Sequence, residues 1–183
     1  MAHLERSAKD MKIRIADVGD IPALIALFRS VHSLHATAYP TLFRIEPLEE
    51  VVATKFKKMI EDSAALLVLA EDPAPCGYIF AQFIDQEESW FWHAHRICNI
   101  SHVVVRSDRR RRGVAGSLIS RTLSEASARG YARIELDVWS FNSDAKNAFQ
   151  KLGFEVFNER MEFRKKEPNQ TPEPTAAAGR GSS

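Results

Sequence analysis

The chain has 183 residues, the length of one domain built around a single hydrophobic core. Hydrophobic residues make up 45% of the sequence and charged residues 27%, which excludes collagen-like, coiled-coil and wholly disordered proteins. Lysine and arginine number 25 against 24 aspartate and glutamate residues, so the chain lacks the global positive charge that drives unselective binding to nucleic acid.

The first part of the chain predicts a strand followed by two helices. Apolar residues alternate with charged ones over residues 12–16, the period of a half-buried strand. A capping carboxylate and a proline over residues 20–22 then favour the start of a helix, whose apolar pattern continues towards Tyr39. A second helix is expected from about residue 47 to residue 60.

A hairpin and a longer strand are predicted next. Residues 64–70 form a continuous apolar run, and residues 77–84 are rich in strand-forming side chains. Between them, residues 72–75 read Asp-Pro-Ala-Pro, which is the composition of a turn. The strand expected over residues 96–105 ends in three valines, and this apolar character on both faces predicts a central position in a sheet.

The remainder of the folded part predicts helix, strand, helix and strand. A helix begins at residue 114 and ends at Gly130, since glycine is typical of helix C-termini. Alternation over residues 132–138 predicts a strand, and Asn142 then caps a helix that ends at residue 153. Residues 154–163 are expected to return as a final strand.

The ends of the chain show no targeting signal. Charged residues at positions 9–12 precede any apolar run, which is not the pattern of a secretory signal, and no stretch reaches the roughly 18 uncharged residues of a membrane helix. Two cysteines are too few for a disulfide scaffold, so we expect a cytoplasmic protein. We also expect a flexible N-terminus over residues 1–11, one folded domain over residues 12–164, and a disordered, proline-containing tail over residues 165–183.

A basic turn carries the first functional signal. It joins the valine-rich strand end, residues 103–105, to the helix that begins at Val114, and the first turn of that helix contains glycine and alanine. A helix N-terminus has unpaired amide groups and a partial positive charge, and small residues let an anion approach them. Five arginines lie within residues 106–112 and add donors suited to phosphate oxygens. The turn therefore predicts a site for a polyphosphate ligand, with an RNA-facing basic patch as the alternative.

Two motifs resemble those of the GNAT superfamily of acyl-CoA-dependent N-acetyltransferases. Residues 110–115, Arg-Arg-Arg-Gly-Val-Ala, match the Arg/Gln-x-x-Gly-x-Gly/Ala pattern of that family's pyrophosphate loop. Residues 142–154 are similar to its C-terminal motif of Asn, Ala, Tyr, Lys, Gly and Phe, except that Phe149 stands where the family usually has tyrosine. The resemblance extends over about residues 12–164 and implies a mixed, mostly antiparallel central sheet flanked by helices.

The resemblance also implies a set of residues that bind acetyl-CoA. Arg110 would start the pyrophosphate loop, and Asn142 would contact the cosubstrate from the neighbouring helix as well as capping that helix. Main-chain groups of Val103 and Val105 would pair with the pantetheine arm, and the N–H of Val104 or a neighbour would polarise the thioester carbonyl. The backbone amides that would hold the pyrophosphate are those of Arg111, Arg112, Gly113, Val114, Ala115 and Gly116. No metal ion is implied.

The catalytic groups are less complete than the binding motifs. Many relatives carry a carboxylate on the fourth strand, but residues 99–102 read Asn-Ile-Ser-His. His102 is therefore the candidate general base, because a near-neutral imidazole can accept a proton directly or through water, while a hydrogen-bonded core histidine is the alternative. Phe149 cannot donate a proton, so the family's general acid is missing at that position.

Several residues are candidates for the acceptor side of the site. The resemblance implies that the first helix and the loop before the fourth strand flank the acceptor cleft, and packing in the core or in a homodimer is the alternative. The candidates for that lining are His35, Tyr39, Trp92 and Trp139. His32 and His35 could form a metal pair, but no third ligand is identifiable. Glu87 and Glu88 are interpreted as a solvated pair rather than a remote base.

Taken together, these patterns predict transfer of an acetyl group from acetyl-CoA to a primary amine by direct transfer in a ternary complex. The acceptor would be a small molecule or a peptide that the sequence does not identify. The alternatives are a CoA-binding regulatory protein without transferase activity and, less favoured, an RNA-binding module. We expect no membrane partner, and a homodimer remains open.

Overall fold

The structure, a computed structural model, describes residues 11–44 and 49–163. Within these residues there are five strands and four helices, with short 3₁₀ turns before the first and third helices. In chain order they are β1 (Lys12–Ile15), α1 (Ile21–Ala38), α2 (Glu49–Glu61), β2 (Ala65–Glu71), β3 (Pro75–Gln86), β4 (His95–Val105), α3 (Val114–Ala128), β5 (Arg133–Leu136) and α4 (Ser143–Lys151).

The strands form one sheet in the order β1-β2-β3-β4-β5. Neighbours are antiparallel except for β4 and β5, which run parallel because α3 crosses between them. The expected mixed, mostly antiparallel sheet flanked by helices is confirmed, and so is the interior position of β4.

Each face of the sheet is buried under helices. Alternate residues of β2 separate into two cores, with Val68 on the side of α3 and Leu69 on the side of α1 and α2. Leu118 of α3 packs in the first core, whereas Leu24 of α1 and Phe56 of α2 pack in the second. The sheet therefore separates two helical layers, and any site that involves both layers must pass the end or the edge of a strand.

A β-bulge in β4 changes which residues face each layer. Ile100 is opposite Ala81 on β3, but His102 is opposite the adjacent residue Phe80, so Ser101 is the extra residue. Ile100 belongs to the core on the side of α3, while His102 packs with aromatic rings of the opposite core. Without the bulge these two residues, which are two apart, would point to the same face.

β5 pairs along its whole length with the first half of β4 and does not reach the second half. Their register runs from Ile97 opposite Arg133 to Ile100 opposite Leu136, after which β4 continues to Val105 and β5 ends. The last part of β4 therefore has β3 as its one strand neighbour among the described residues. Its other edge is open on the side where β5 has ended.

The final strand expected over residues 154–163 is wrong, because the described segment there is irregular. Polar residues 158–160 interrupt the alternation, so the segment offers no continuous apolar face to the sheet. Val156 and Phe157 are exposed, and Phe157 meets the Arg133 guanidinium at 5.2 Å from its ring centroid.

Two predictions about the ends of the chain concern residues that the structure does not describe. These are the expected tail over residues 165–183 and most of the N-terminal segment, although Met11 packs partly buried against the core on the side of α3. The first residues of the expected second helix, 47 and 48, also lie outside them. Among the described helices, none has the length and apolar character needed to cross a membrane.

Candidate functional site

The turn before α3 exposes a row of backbone amides. Arg111 has φ of 60° and Gly113 has φ of 81°, so the backbone enters the left-handed region twice within three residues. The first hydrogen bond of α3 runs from Ser117 N to Gly113 O at 3.0 Å, and the amides of residues 114–116 precede it without a partner in the helix. A left-handed non-glycine residue costs free energy, which is consistent with a turn shaped for binding.

The positive charge of the turn is smaller than the sequence indicates. Arg106 donates to both carboxylate oxygens of Asp108 at 2.6 and 3.1 Å, and Arg109 donates to Asp72 at 2.8 Å. These two guanidiniums are therefore neutralised locally. The charge left for an anionic ligand is that of the three consecutive arginines at 110–112, which are exposed at the turn itself.

An open cavity of about 590 Å³ adjoins this turn and follows one face of α3. A Cβ atom added at Gly113 would meet nothing within 4 Å, so the space above this residue is empty of protein. A Cβ atom added at Gly116 would lie 3.6 Å from Leu152, the residue that follows α4. The residues that line the cavity are Ile13, Gly113, Gly116, Ser117, Ser120, Arg121 and Ser124.

The open edge of β4 presents the main chain of alternate valines. Arg106 N donates to Cys76 O of β3 at 2.8 Å, so the antiparallel alternation directs the groups of Val104 towards β3 and those of Val103 and Val105 away from it. Arg110 Nε donates to Val105 O at 3.3 Å, which agrees with that direction. The expected role of Val104 is corrected: its side chain is buried beneath α1 and its N–H is turned from the open edge.

Asn142 is the N-cap residue of α4. Its Oδ1 accepts a hydrogen bond from Ala145 N at 3.2 Å, which confirms the predicted cap. The cap uses the acceptor and leaves the side-chain amide as a donor. Phe149, which replaces the family's tyrosine, packs partly buried against the core on the side of α3 and lies 6.0 Å from Phe154 between ring centroids.

His102 faces the opposite layer from the cavity, because of the bulge at Ser101. Its Nδ1 lies 3.2 Å from the hydroxyl of Tyr78, and its ring lies 6.0 Å from Phe28 and 5.7 Å from Phe80 between centroids. Burial lowers the pKa of His102, and the charge of His35 lowers it further. The imidazole is therefore neutral at pH 7 and can accept a proton.

An aromatic cluster connects the end of α1 with the loop after β5. Trp139 follows the last paired residue of β5 by three positions, and its ring lies 6.0 Å from His35, 5.1 Å from Tyr39 and 5.3 Å from Phe43. Phe141 adds contacts of 5.6 Å with His35 and 5.8 Å with Tyr39. We call these five side chains, His35, Tyr39, Phe43, Trp139 and Phe141, the aromatic cluster.

The structure brings together only some of the residues expected on the acceptor side. His35, Tyr39 and Trp139 meet in the aromatic cluster, but Trp92 packs in the β3–β4 loop with Phe91 and His95, at 5.0 and 6.0 Å between ring centroids. The two glutamates of that loop, residues 87 and 88, are exposed.

Both histidines of α1 use one ring nitrogen in hydrogen bonds to the backbone. His32 Nε2 donates to Arg44 O at 2.6 Å, and His35 Nδ1 donates to Val31 O at 3.1 Å. Over residues 11–44 and 49–163, no group of three or more potential metal ligands comes together. The histidine pair thus carries no metal site that the structure describes.

Several residues of this region were not identified from the sequence. Tyr78 appeared only as part of a strand, and its hydroxyl is the polar partner of His102. The sequence does not predict the bulge at Ser101, because two adjacent polar residues, Ser101 and His102, are the only interruption of the apolar strand there. Phe43 and Phe141 lie just after predicted elements, where a single apolar residue is common and indicates no function. Their place in the aromatic cluster is evident only from their contacts with His35 in the structure.

Comparisons with known proteins agree on one family. The model of the acetyltransferase (GNAT) family matches residues 28–154, more than half of the chain. None of the curated proteins that were compared with the chain matches it. Among solved structures, a tetramutant of the BH1408 protein from Bacillus halodurans superposes with a TM-score of 0.79 at 22% identity, over 84% of this chain and 99% of that one.

Two further solved structures are of acetyltransferases with bound CoA or acetyl-CoA. The aminoglycoside N-acetyltransferase AAC(6')-Iy in complex with CoA has a TM-score of 0.66 at 18% identity, over 85% of this chain and 94% of its own. A predicted acetyltransferase from Clostridium acetobutylicum, solved with acetyl-CoA, has a TM-score of 0.64 at 21% identity. The match covers 84% of this chain and 96% of that one. These likenesses show the fold, and the family model carries the assignment: the chain belongs to the GNAT family of acetyltransferases.

Proposed function

We propose that the protein transfers an acetyl group from acetyl-CoA to a primary amine by direct transfer in a ternary complex. The observation that carries the proposal is a path along β4 and the turn that follows it, formed by three features. They are the unpaired amides of residues 114–116, the outward main chain of Val103 and Val105, and His102 beyond the bulge. The two solved relatives that contain CoA or acetyl-CoA support the choice of cosubstrate.

The proposed binding of acetyl-CoA follows from the complementarity between its groups and those of the turn and of the β4 edge. The amides of residues 111–116 and the positive end of α3 would hold the pyrophosphate, with Arg110, Arg111 and Arg112 beside it. The outward groups of Val103 and Val105 would pair with the amides of the pantetheine arm as a neighbouring strand would. Arg110 must first leave Val105 O, to which it donates at 3.3 Å. Asn142 would contribute its side-chain amide from α4.

The chemical half of the path lies at the bulge. Acetyl-CoA supplies the acetyl group as an activated thioester. His102 would take the proton from the attacking amine, either directly or through water, at Nε2, with Nδ1–H donating to the Tyr78 hydroxyl in that tautomer. The amine nitrogen forms the bond to the acetyl carbon, the carbon–sulfur bond breaks, and the thiolate takes a proton from water, because Phe149 has none to give.

Two measurements test the proposal. Acetyl-CoA and CoA at millimolar concentration should raise the melting temperature, and ADP should raise it much less, because a ligand that binds only the folded protein stabilises it. Release of CoA should then depend on an added primary amine. The absence of both a thermal shift and a calorimetric heat with acetyl-CoA would overturn the proposal.

Two observations favour a second candidate, a CoA-binding protein without transferase activity. Phe149 replaces the general acid, and residues 99–102 of β4 contain no carboxylate. Under this candidate CoA would stabilise the protein, but no amine in a broad panel would be acetylated.

A further inference from the structure

We infer that the acceptor is an arylalkylamine, a primary amine joined by a short spacer to an aromatic ring, and that the ring binds against the aromatic cluster. The inference rests on the proposed function and assigns the acceptor class that it leaves open. It is carried by the position, the exposed ring surface and the charge of the cluster.

The aromatic cluster lies where β4 and β5 separate. Pairing ends at Ile100 and Leu136, His102 follows the first by two residues, and Trp139 follows the second by three. A chain of ring contacts also links the cluster to the candidate base. Phe43 lies 6.1 Å from His32, His32 lies 5.2 Å from Phe28, and Phe28 lies 6.0 Å from His102. These ring contacts place the aromatic cluster and His102 in the same helical layer, beyond the end of β5.

The rings of the cluster leave surface available to a ligand. Trp139 is 40% exposed and Phe141 is 39% exposed, although both pack against other aromatic rings. Large apolar groups that stay exposed next to one another commonly mark a binding surface. Aromatic rings bind another aromatic ring in offset or edge-to-face geometry more favourably than an aliphatic group of equal size.

The charges around the cluster argue against a polycationic acceptor. The groups that act on the pKa of His35 are its own burial, the Val31 carbonyl and His32; those that act on His102 are its burial and His35. No carboxylate is among them. Asp137 is the carboxylate nearest to Trp139 in sequence and supplies a single exposed charge. A polyamine or an aminoglycoside carries several ammonium groups and would need several carboxylates to replace their hydration, so we expect this cluster to favour an acceptor with one ammonium group.

The test compares acceptors of matched size with the full chain and saturating acetyl-CoA. We expect kcat/KM for 2-phenylethylamine to exceed that for 2-cyclohexylethylamine by about three- to tenfold, the range of an aromatic pair, and to exceed those for spermidine and kanamycin by more. Equal values for the phenyl and cyclohexyl amines, or a preference for either polycation, would overturn the inference while leaving amine acetylation in place.

Matched tryptophan variants locate the effect. Trp139→Leu keeps an apolar side chain but removes the ring, and should reduce the phenyl-to-cyclohexyl ratio to about one. Trp90→Leu is the control, because Trp90 is 96% exposed in the β3–β4 loop and lies outside the cluster. A ratio that falls equally in both variants would contradict the assignment.

Binding provides a readout that does not require turnover. Calorimetry should detect 2-phenylethylamine binding to the protein with CoA present, and Trp139→Leu should weaken that binding about tenfold. Failure of the unaltered protein to bind this amine overturns the inference even if another amine is acetylated. Failure of CoA to bind would instead overturn the proposed function.

Discussion

At the scale of single residues, His102 depends on its neighbours for both position and protonation state. The extra residue Ser101 turns its side chain to the layer of α1, and the Tyr78 hydroxyl holds Nδ1 at 3.2 Å. Burial keeps the imidazole neutral by lowering its pKa. A histidine in the ordinary register of β4 would face α3, the layer opposite the aromatic cluster.

His102→Gln tests the role of this residue as the base. Turnover should fall about 100-fold or more, the usual contribution of a general base, while CoA affinity changes little. In the unaltered protein the rate should rise with pH through an ionisation below 6.5, because burial lowers the pKa from that value. Turnover within a few-fold of the original, with a profile that follows the ionisation of the amine, would show that His102 only packs.

At Gly113, both the backbone conformation of the turn and the proposed binding of an anion favour glycine. Its φ of 81° is one that other residues rarely adopt, and a Cβ atom added there would meet no protein atom within 4 Å. Gly113→Ala should weaken CoA binding at least several-fold and destabilise the protein by about 1 kcal/mol. Gly153→Ala is the matched control, since its φ is 93° after α4 and an added Cβ atom also meets nothing within 4 Å. It should lower stability to a similar degree and leave CoA affinity unchanged; equal affinities of both variants would contradict the turn as the anion site.

At the scale of elements, the site depends on two strands that separate and on a helix that begins beside the gap. β5 is four residues long, so β4 extends beyond it and presents an open edge. α4 begins at Ser143, seven residues after the end of β5, because Asn142 caps it. The opening is therefore a consequence of strand length and of one helix start rather than of an unusual side chain.

Asn142 allows capping and cosubstrate contact to be separated. Asn142→Ser keeps an acceptor for Ala145 N but removes the amide donor, so the melting temperature should stay nearly constant while CoA affinity falls. Asn142→Ala removes both groups and should also cost about 1 kcal/mol of stability. Thermal melts and CoA titrations of both variants measure the two effects. Full CoA affinity in Asn142→Ser would limit this residue to its structural role.

At the scale of the whole molecule, charge and burial together predict how stability depends on pH. Burial lowers the pKa of both His35 and His102 in the folded protein, so the unfolded chain takes up protons first as the pH falls below about 6.5. The free energy of unfolding should therefore decrease from about pH 7.5 to 5.5. Urea titrations across this range should show the loss, and His102→Gln should reduce its slope; an unchanged slope would contradict a buried neutral imidazole.

At lower pH the free energy of unfolding should decrease a second time, because of the ion pairs that join the start of α1 to the sheet edge. Arg14 donates to Asp20 at 2.6 and 2.7 Å and to Glu71 at 2.7 Å, which lowers the pKa of both carboxyl groups. Their stabilisation is complete above about pH 4.5 and is lost as the pH falls through the lowered values. Glu71→Gln should weaken this second loss in the same urea titrations.

The sequence by itself determined what depends on local pattern. Local patterns of alternation, apolar runs, composition and helical periodicity predicted every described strand and helix, and the Asn142 cap was readable because one side chain meets its own helix. The residues that give the family match, from the glycine-containing turn to the α4 motif, were also readable, since backbone approach and helix starts restrict residue type within a few positions. The expected strand over residues 154–163 failed because alternation there is broken by polar residues.

Only the tertiary structure decided what depends on register and on contacts between distant segments. The bulge at Ser101 changes the face of His102, but a one-residue insertion in a strand leaves no periodic signal. The separation of β4 and β5 is set by how far a partner strand extends, and the aromatic cluster joins residues about 100 positions apart in the chain. Sequence pattern reports which side chains are apolar, whereas the pairing of strands determines which of them meet.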